Sequence, residues 1–340
     1  MAIELSNVKF TEQADIVPPS GVEEIVNTGI ANTLAGNDII AGITDSDFYG
    51  IYNTGTINTG AGNDILIGIC NTDHPVVPCV GIRSQGGTIN TDDGDDIIVG
   101  TSRTDNGIFL LGAIINTGNG NDLIIGNGGI NVNGNSILDT GNGSDTIAGT
   151  GAYGIENYFI INTGDGNDKI TGNGTSSTGY GIVNGGTMDT GAGNDEITGI
   201  LANGYGYGIT NDGTIDTGDG NDKITGIGSN GIYNKGIIKT GNGKDSIIAD
   251  GGFNGTGSVF LEEGEDHLMG FGNGNFDGGN GKDTMKLTSG TYTIGRSGDT
   301  VSFTKDSIIM NTSNFEQLIA GNAMYHFSSL TSGQIINVSW

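Results

Sequence analysis

Basic residues are scarce in this sequence. Lysine and arginine number 12 among 340 residues, against 39 aspartates and glutamates, for a formal net charge of −27. So acidic a chain repels phosphate, which argues against a nucleic-acid partner. Proline is scarcer still, at 4 residues, and the 66 glycines follow no strict three-residue period, which excludes a collagen-like triple helix. No stretch approaches the roughly 20 apolar residues that span a bilayer, so no transmembrane segment is expected. The opening residues, MAIELSNVKFTEQADIVPPSG, have neither a basic start nor a continuous apolar run and do not read as a cleaved signal peptide. Helix formers are sparse, and a glycine inside a helix costs about 1 kcal/mol.

Cysteine is limited to Cys70 and Cys79, which bracket the segment NTDHPVVP. In an oxidising compartment they are disulfide candidates for a small local loop. Two free thiols, or a metal site that recruits His74, are the alternatives; two thiols and one imidazole make a thin zinc signal.

What the chain has in abundance is repetition. A six-residue corner recurs as TGAGND at Thr59–Asp64 and Thr190–Asp195, TGNGND at Thr117–Asp122, and TGDGND at Thr163–Asp168 and Thr217–Asp222. The terminal aspartates of all such corners are Asp38, Asp64, Asp96, Asp122, Asp145, Asp168, Asp195, Asp222, Asp245, Asp266 and Asp283. Their successive separations are 26, 32, 26, 23, 23, 27, 27, 23, 21 and 17 residues, and the long step holds the cysteine insertion. Upstream lies a second phrase, as in GIYNTGTI at Gly50–Ile57 and GITNDGTI at Gly208–Ile215. Low complexity with high charge can mean disorder, but here isoleucine recurs in phase with each corner, so every unit has apolar surface to bury.

Self-similarity at this period marks a solenoid. Each unit holds three short alternating stretches broken by glycine-rich bends, which reads as strand and turn. The expected fold is all-β: a parallel β-helix (β-solenoid) of about 9–11 three-stranded coils, spaced about 4.8 Å apart. Asn53, Asn157, Asn184, Asn211 and Asn234 then form a column suited to a side-chain amide ladder. Thr59, Thr91, Thr117, Thr140, Thr163, Thr190, Thr217 and Thr240 form another; a flat exposed threonine array can order water, although these stand at a bend beside aspartates.

Stacked aspartates repel. Two unit charges one coil apart cost on the order of 1 kcal/mol in water and 3–4 kcal/mol at an effective dielectric of 20. A column of them needs counter-charge that 12 basic residues cannot supply. Calcium answers this, because it accepts six to eight oxygens in flexible geometry, backbone carbonyls included. The other reading is that the corner is simply a tight turn, with Asn and Asp tolerating left-handed backbone.

Gly278–Lys286, GGNGKDTMK, matches the whole nonapeptide GGxGxDxUx of the repeat-in-toxin (RTX, hemolysin-type) calcium-binding family, and the TGxGNDxI corners match it from their second position. The chain resembles that family over roughly Thr33 to Leu287. The resemblance implies calcium held between coils by aspartate carboxylates and backbone carbonyls. Carried over position by position, the ligands are Asp64, Asp96, Asp122, Asp145, Asp168, Asp195, Asp222, Asp245 and Asp283. Asp38 and Asp266 are added, although their corners, TLAGND and LEEGED, depart further from the pattern. The family repeats its motif on both edges of a shorter coil, whereas most units here carry it once, so one calcium-bearing edge is expected. The closing steps of 21 and 17 predict that the solenoid narrows to an RTX-like β-roll near its C-terminal end.

Solenoid ends need caps. Residues 1–24 are expected to form the N-terminal cap, residues 25–290 the repeats, and residues 291–340 a β-rich C-terminal cap. Thr291–Gly321 resembles the tail that follows RTX repeats, which implies bacterial export by type I secretion on an uncleaved signal after Gly321. A metal-triggered fold outside the cell follows from the same resemblance, since binding free energy becomes folding free energy.

A catalytic role is weighed against this. Right-handed β-helices host polysaccharide lyases and epimerases, but the arginines are only Arg83, Arg103 and Arg296, in unrelated contexts. Lys169, Lys223 and Lys244 sit at the acidic corners as charge compensation, and His74, His267 and His326 are scattered. Asp95 and Asp96 mimic a hydrolase pair but fall within the repeat. The expected function is a secreted calcium-binding structural or surface protein, in contact with extracellular polysaccharide or a cell surface and not an enzyme. A polysaccharide-active enzyme or a toxin-accessory protein is the alternative.

Overall fold

Glycine-punctuated alternation produces strands whose inward residues are isoleucine and whose corners turn on left-handed backbone. The computed structural model describes residues 2–18, 23–45, 48–72 and 79–340; His74, and with it the zinc alternative, lies outside them. Apart from two three-residue helical turns, every regular element among the described residues is a β-strand, and the chain winds as a parallel solenoid with three faces per coil. The first face follows each corner, as in Ile39–Thr44, Lys169–Gly174 and Glu196–Leu201. The second carries the GI-x-N phrase, as in Tyr180–Asn184 and Tyr207–Asn211. The third is three residues long and leads into the next corner, as in Thr187–Asp189 and Thr214–Asp216. In two coils the first and second faces run together, at Leu123–Asn133 and Thr146–Asn157.

Register is one coil per repeat: Ile197 pairs with Ile170 on one side and Ile224 on the other. Three aliphatic columns therefore fill the interior. Ile170, Ile197 and Ile224 belong to the first, Ile182, Ile209 and Ile232 to the second, and Ile161, Met188 and Ile215 to the third, all fully buried. Burying each such side chain contributes about 1.5–3 kcal/mol, which is what lets a glycine-rich chain order at all.

The asparagine column is real and begins one coil earlier than the repeat phrase implied, at Asn27. Asn27 donates to Asn53 Oδ1 at 2.9 Å, and Asn157, Asn184 and Asn211 each donate to the next asparagine at 2.8–2.9 Å. The same amides also reach backbone carbonyls, such as Thr214 from Asn184 at 2.8 Å. Between the two runs Ser84, Leu110 and Val132 occupy the register position.

The coil narrows near its end. After Phe253–Asn254 the second face has no further strand among the described residues, and Phe253, Phe271 and Phe276 fill the space the lost isoleucines leave. In the last 17-residue step only His267–Met269, Gly274–Asp277 and the corner strand remain. Stacking already begins within residues 1–24: Ile3 pairs with Ile25 and Ile16 with Ile39, while Leu5 is fully buried over the end of the core. At the other end parallel pairing persists past residue 290, with Gln317–Ala320 on Thr284–Lys286. Antiparallel strands Gly290–Ser297, Thr300–Lys305, Ile308–Ser313 and Ile335–Val338 then close the stack. Cys70 and Cys79 are joined in a disulfide, with Sγ atoms 2.09 Å apart.

Candidate metal column at the acidic corners

Each corner is set by its glycines. Gly191 and Gly193 have φ of +78° and +151°, and a Cβ on Gly193 would fall 1.3 Å from the carbonyl oxygen of Gly166 in the preceding coil. That carbonyl points straight into the gap between coils, and the same holds at the equivalent glycine of most corners. Three corners carry a side chain at the first left-handed position instead: Leu34, Asp92 and Glu262 have φ of +78°, +61° and +71°.

The terminal aspartates turn inward. Asp38, Asp64, Asp96, Asp122, Asp145, Asp168, Asp195, Asp222, Asp245, Asp266 and Asp283 are all at most 2% exposed. In ten consecutive steps a carboxylate oxygen accepts the backbone N–H of the aspartate one coil earlier, at 2.7–2.9 Å, from Asp38 onto Asp64 through Asp266 onto Asp283. Asp38 and Asp266, whose corners depart from the motif, stand in the file on the same terms as the rest. The second oxygen of every one of these eleven residues is buried and meets no donor in hydrogen-bond geometry, although corner threonine hydroxyls such as Thr59 beside Asp64 and Thr163 beside Asp168 favour the ionised carboxylate. At several corners the point a glycine Cβ would fill also lies near the aspartate: 3.1 Å from Asp96 Oδ1 at Gly94 and 3.1 Å from Asp222 Oδ1 at Gly220. At these corners the coil-gap carbonyl and the amide-bonded carboxylate oxygen thus lie beside the same point.

Burying the charge is unfavourable. Desolvation pushes Asp64, Asp145, Asp222 and Asp266 up to about 6, and Asp96, Asp168, Asp245 and Asp283 up to about 7, against the hydrogen bonds that favour ionisation. Asp122 and Asp195 move the same way for the same reason. Charged neighbours in the file add to the rise at Asp168 and Asp245.

Two members of the file lack the repeat's letters. The N–H of Asp15 donates to Asp38 at 2.7 Å, and Glu316 accepts from the N–H of Asp283 at 2.7 Å. Asp15 stands 23 residues before Asp38, a spacing the repeat already uses, and Glu316 opens an E-x-L-x-A phrase that mimics the D-x-I-x-G after each corner.

Calcium or another oxygen-preferring cation fits this donor set. Among the described residues no three or more His, Cys, Asp or Glu side chains gather into a metal cluster. Each gap offers two carboxylates, one from either coil, so backbone carbonyls must complete any coordination. The Asp95–Asp96 pair does not survive folding: Asp95 faces outward, accepting the N–H and side-chain amide of Asn121, while Asp96 is buried, so the two do not form a dyad. The threonine column is buried as well, with Thr117 donating to the Thr140 carbonyl at 3.2 Å, so it presents no exposed array. Lys169 and Lys223 both pair with Glu196, at 3.0 and 3.3 Å, on the outer surface.

No family model matches the chain, and no curated protein matches it in sequence. Its structure is similar to that of a hyperactive, Ca2+-dependent, β-helical antifreeze protein from an Antarctic bacterium, at 17% identity over 96% of this chain and 98% of that one, with a TM-score of 0.45. The resemblance to the RTX family rests on the motif residues alone.

Proposed function

We propose that the chain is a structural calcium-binding rod, secreted by a bacterium and folded by a single file of Ca2+ at its acidic corners. The observation that carries this reading is the row of eleven buried carboxylate oxygens without partners. A buried, unpaired charge is costly, and a cation between coils removes that cost while using carbonyls that glycine alone lets approach. Asp38, Asp64, Asp96, Asp122, Asp145, Asp168, Asp195, Asp222, Asp245, Asp266 and Asp283 are the ligands in this reading, with Glu316 closing the file. Its role is support at a cell surface or in an extracellular polysaccharide layer, without catalysis. Export on the segment after Gly321 belongs to the same proposal.

Circular dichroism and native mass spectrometry with calcium and with chelator test it. The expected result is a loosened β-fold of low urea midpoint in chelator, a markedly more stable β-solenoid in calcium, and several ions bound per chain. A fully folded spectrum in chelator, with no ions retained in calcium, refutes it. Turnover of an acidic polysaccharide that Arg103→Ala abolishes would replace the structural role with an enzymatic one.

A further inference from the structure

The solenoid surface departs from its repeat between Leu123–Asn133 and Thr146–Asn157. There the register slips: Gly128 faces Gly151 but Ile130 faces Ile155, so Ala152, Tyr153 and Gly154 stand opposite Gly129 alone. Gly128 and Gly129 have φ of +118° and +108°. Such bulges re-aim side chains and recur beside binding sites. Here the slip opens a cleft of about 600 Å³ whose walls include Arg103, Asp105, Asn106, Tyr153, Glu156 and Thr175. That volume is in the range of small-ligand sites, about 300–1,000 Å³.

We propose that this cleft is a binding site for a neutral, hexose-based glycan. Tyr153 is 38% exposed and begins a file of rings that runs on along the rod. It stacks on Tyr180 at 5.8 Å, Tyr180 stacks on Tyr207 at 6.3 Å, and Tyr233 lies 5.0 Å beyond. The file starts at Tyr153 because the coil before it carries the glycine kink at this position. Beside this apolar surface stands a carboxyl that neither the interior columns nor the corner ladder uses. The side-chain amide of Asn131 donates to Glu156 Oε2 at 2.9 Å, and the Tyr158 hydroxyl donates to Oε1 at 3.2 Å, so the group is fixed in place. Asp105 is likewise oriented, accepting the N–H and side-chain amide of Asn106 at 2.8 and 2.9 Å.

A pyranose has an apolar C–H face and a rim of paired hydroxyls, and this wall pairs an aromatic ring with planar carboxyl, amide and guanidinium groups. Polyanions do not suit it: two carboxyl groups and one arginine line the cleft, in a chain of net charge −27. The lining is mostly polar residues and glycine, which gives an apolar peptide side chain little to anchor on. The reading is independent of the corner file, which lies on a different edge of each coil.

The test is calorimetric titration of the calcium-loaded full chain with neutral gluco- and manno-oligosaccharides, with oligogalacturonate alongside. A neutral oligosaccharide is expected to bind saturably, and Tyr153→Ala and Glu156→Gln are each expected to weaken it at least about tenfold, ~1.4 kcal/mol. Circular dichroism in calcium should be unchanged in both variants, which separates a failed cleft from a failed fold. Absence of binding to any neutral oligosaccharide, preference for oligogalacturonate, or full affinity in Tyr153→Ala overturns the proposal.

Discussion

Replacing Asp168 with asparagine should change stability in opposite directions with and without calcium. The substitution keeps an oxygen able to accept the Asp145 N–H, now bonded at 2.8 Å, but turns the unpartnered oxygen into an amide that cannot ligate a cation. Burial raises the Asp168 pKa from 3.8 to about 7. Because the folded value lies above the unfolded one, the metal-free protein holds its proton more tightly when folded. Its stability is greatest at low pH and falls as pH climbs from the unfolded value through the folded one. Three units correspond to about 4 kcal/mol, shared with coupled neighbours in the file, so Asp168→Asn should recover about 2 kcal/mol in chelator at about pH 8. In chelator at about pH 4 most of the gain should vanish, since the folded acid is then neutral and the unfolded one is close to its titration midpoint of 3.8. In calcium the variant loses a ligand from the gaps on both sides, and a tenfold loss of affinity at each is about 1.4 kcal/mol per site. Urea unfolding followed by circular dichroism, at both pH values and with calcium or chelator, reads all of these. Destabilisation of similar size in chelator and calcium would refute the column as a cation site and leave a structural hydrogen-bond ladder.

Three further outcomes follow from the packing. Gly193→Ala should destabilise by well over 3 kcal/mol, the scale of severe backbone strain, because its Cβ would meet the Gly166 carbonyl at 1.3 Å; Gly86→Ala, with φ of +68° but open space around it, should cost about 1 kcal/mol. Equal urea midpoints for the two would contradict the close approach of the coils. Ile197→Ala, in the middle of the first interior column, should cost about 2–5 kcal/mol by urea unfolding. Asn184→Ala removes the donors to Asn211 and Thr214 and leaves buried acceptors unpaired, which should cost about 1–3 kcal/mol by the same measurement.

The solenoid is legible in the sequence because its signal is periodic: an apolar residue two places after each corner aspartate, most often isoleucine, becomes one column that includes Ile170, Ile197 and Ile224. The corner aspartates are legible for the same reason. What periodicity does not show is how a carboxylate is shared. One oxygen is spent on a backbone amide one coil earlier, and only the other is left over, a division that depends on coil spacing. Asp15 and Glu316 escape a motif search because each continues the file without the glycine-rich letters around it. The Tyr153 cleft is hidden for the opposite reason: it arises where Gly128 and Gly129 break the register, and a repeat consensus averages such a fault away. The interruption of the asparagine column by Leu110 and Val132 is of the same kind, with a hydrophobic pair replacing both partners of a hydrogen bond at little cost.

The corner ladder has a direction. Every carboxylate serves the amide of the coil before it, so a coil's own amide is satisfied only by the coil that follows. The two ends of the stack are therefore unlike. A C-terminal cap that already holds Glu316 offers a waiting acceptor to Asp283, which in turn presents one to Asp266, and so on toward Asp15. The rod is polar in the sense that a polymer is: its first coil joins the file through an amide and its last through a carboxylate.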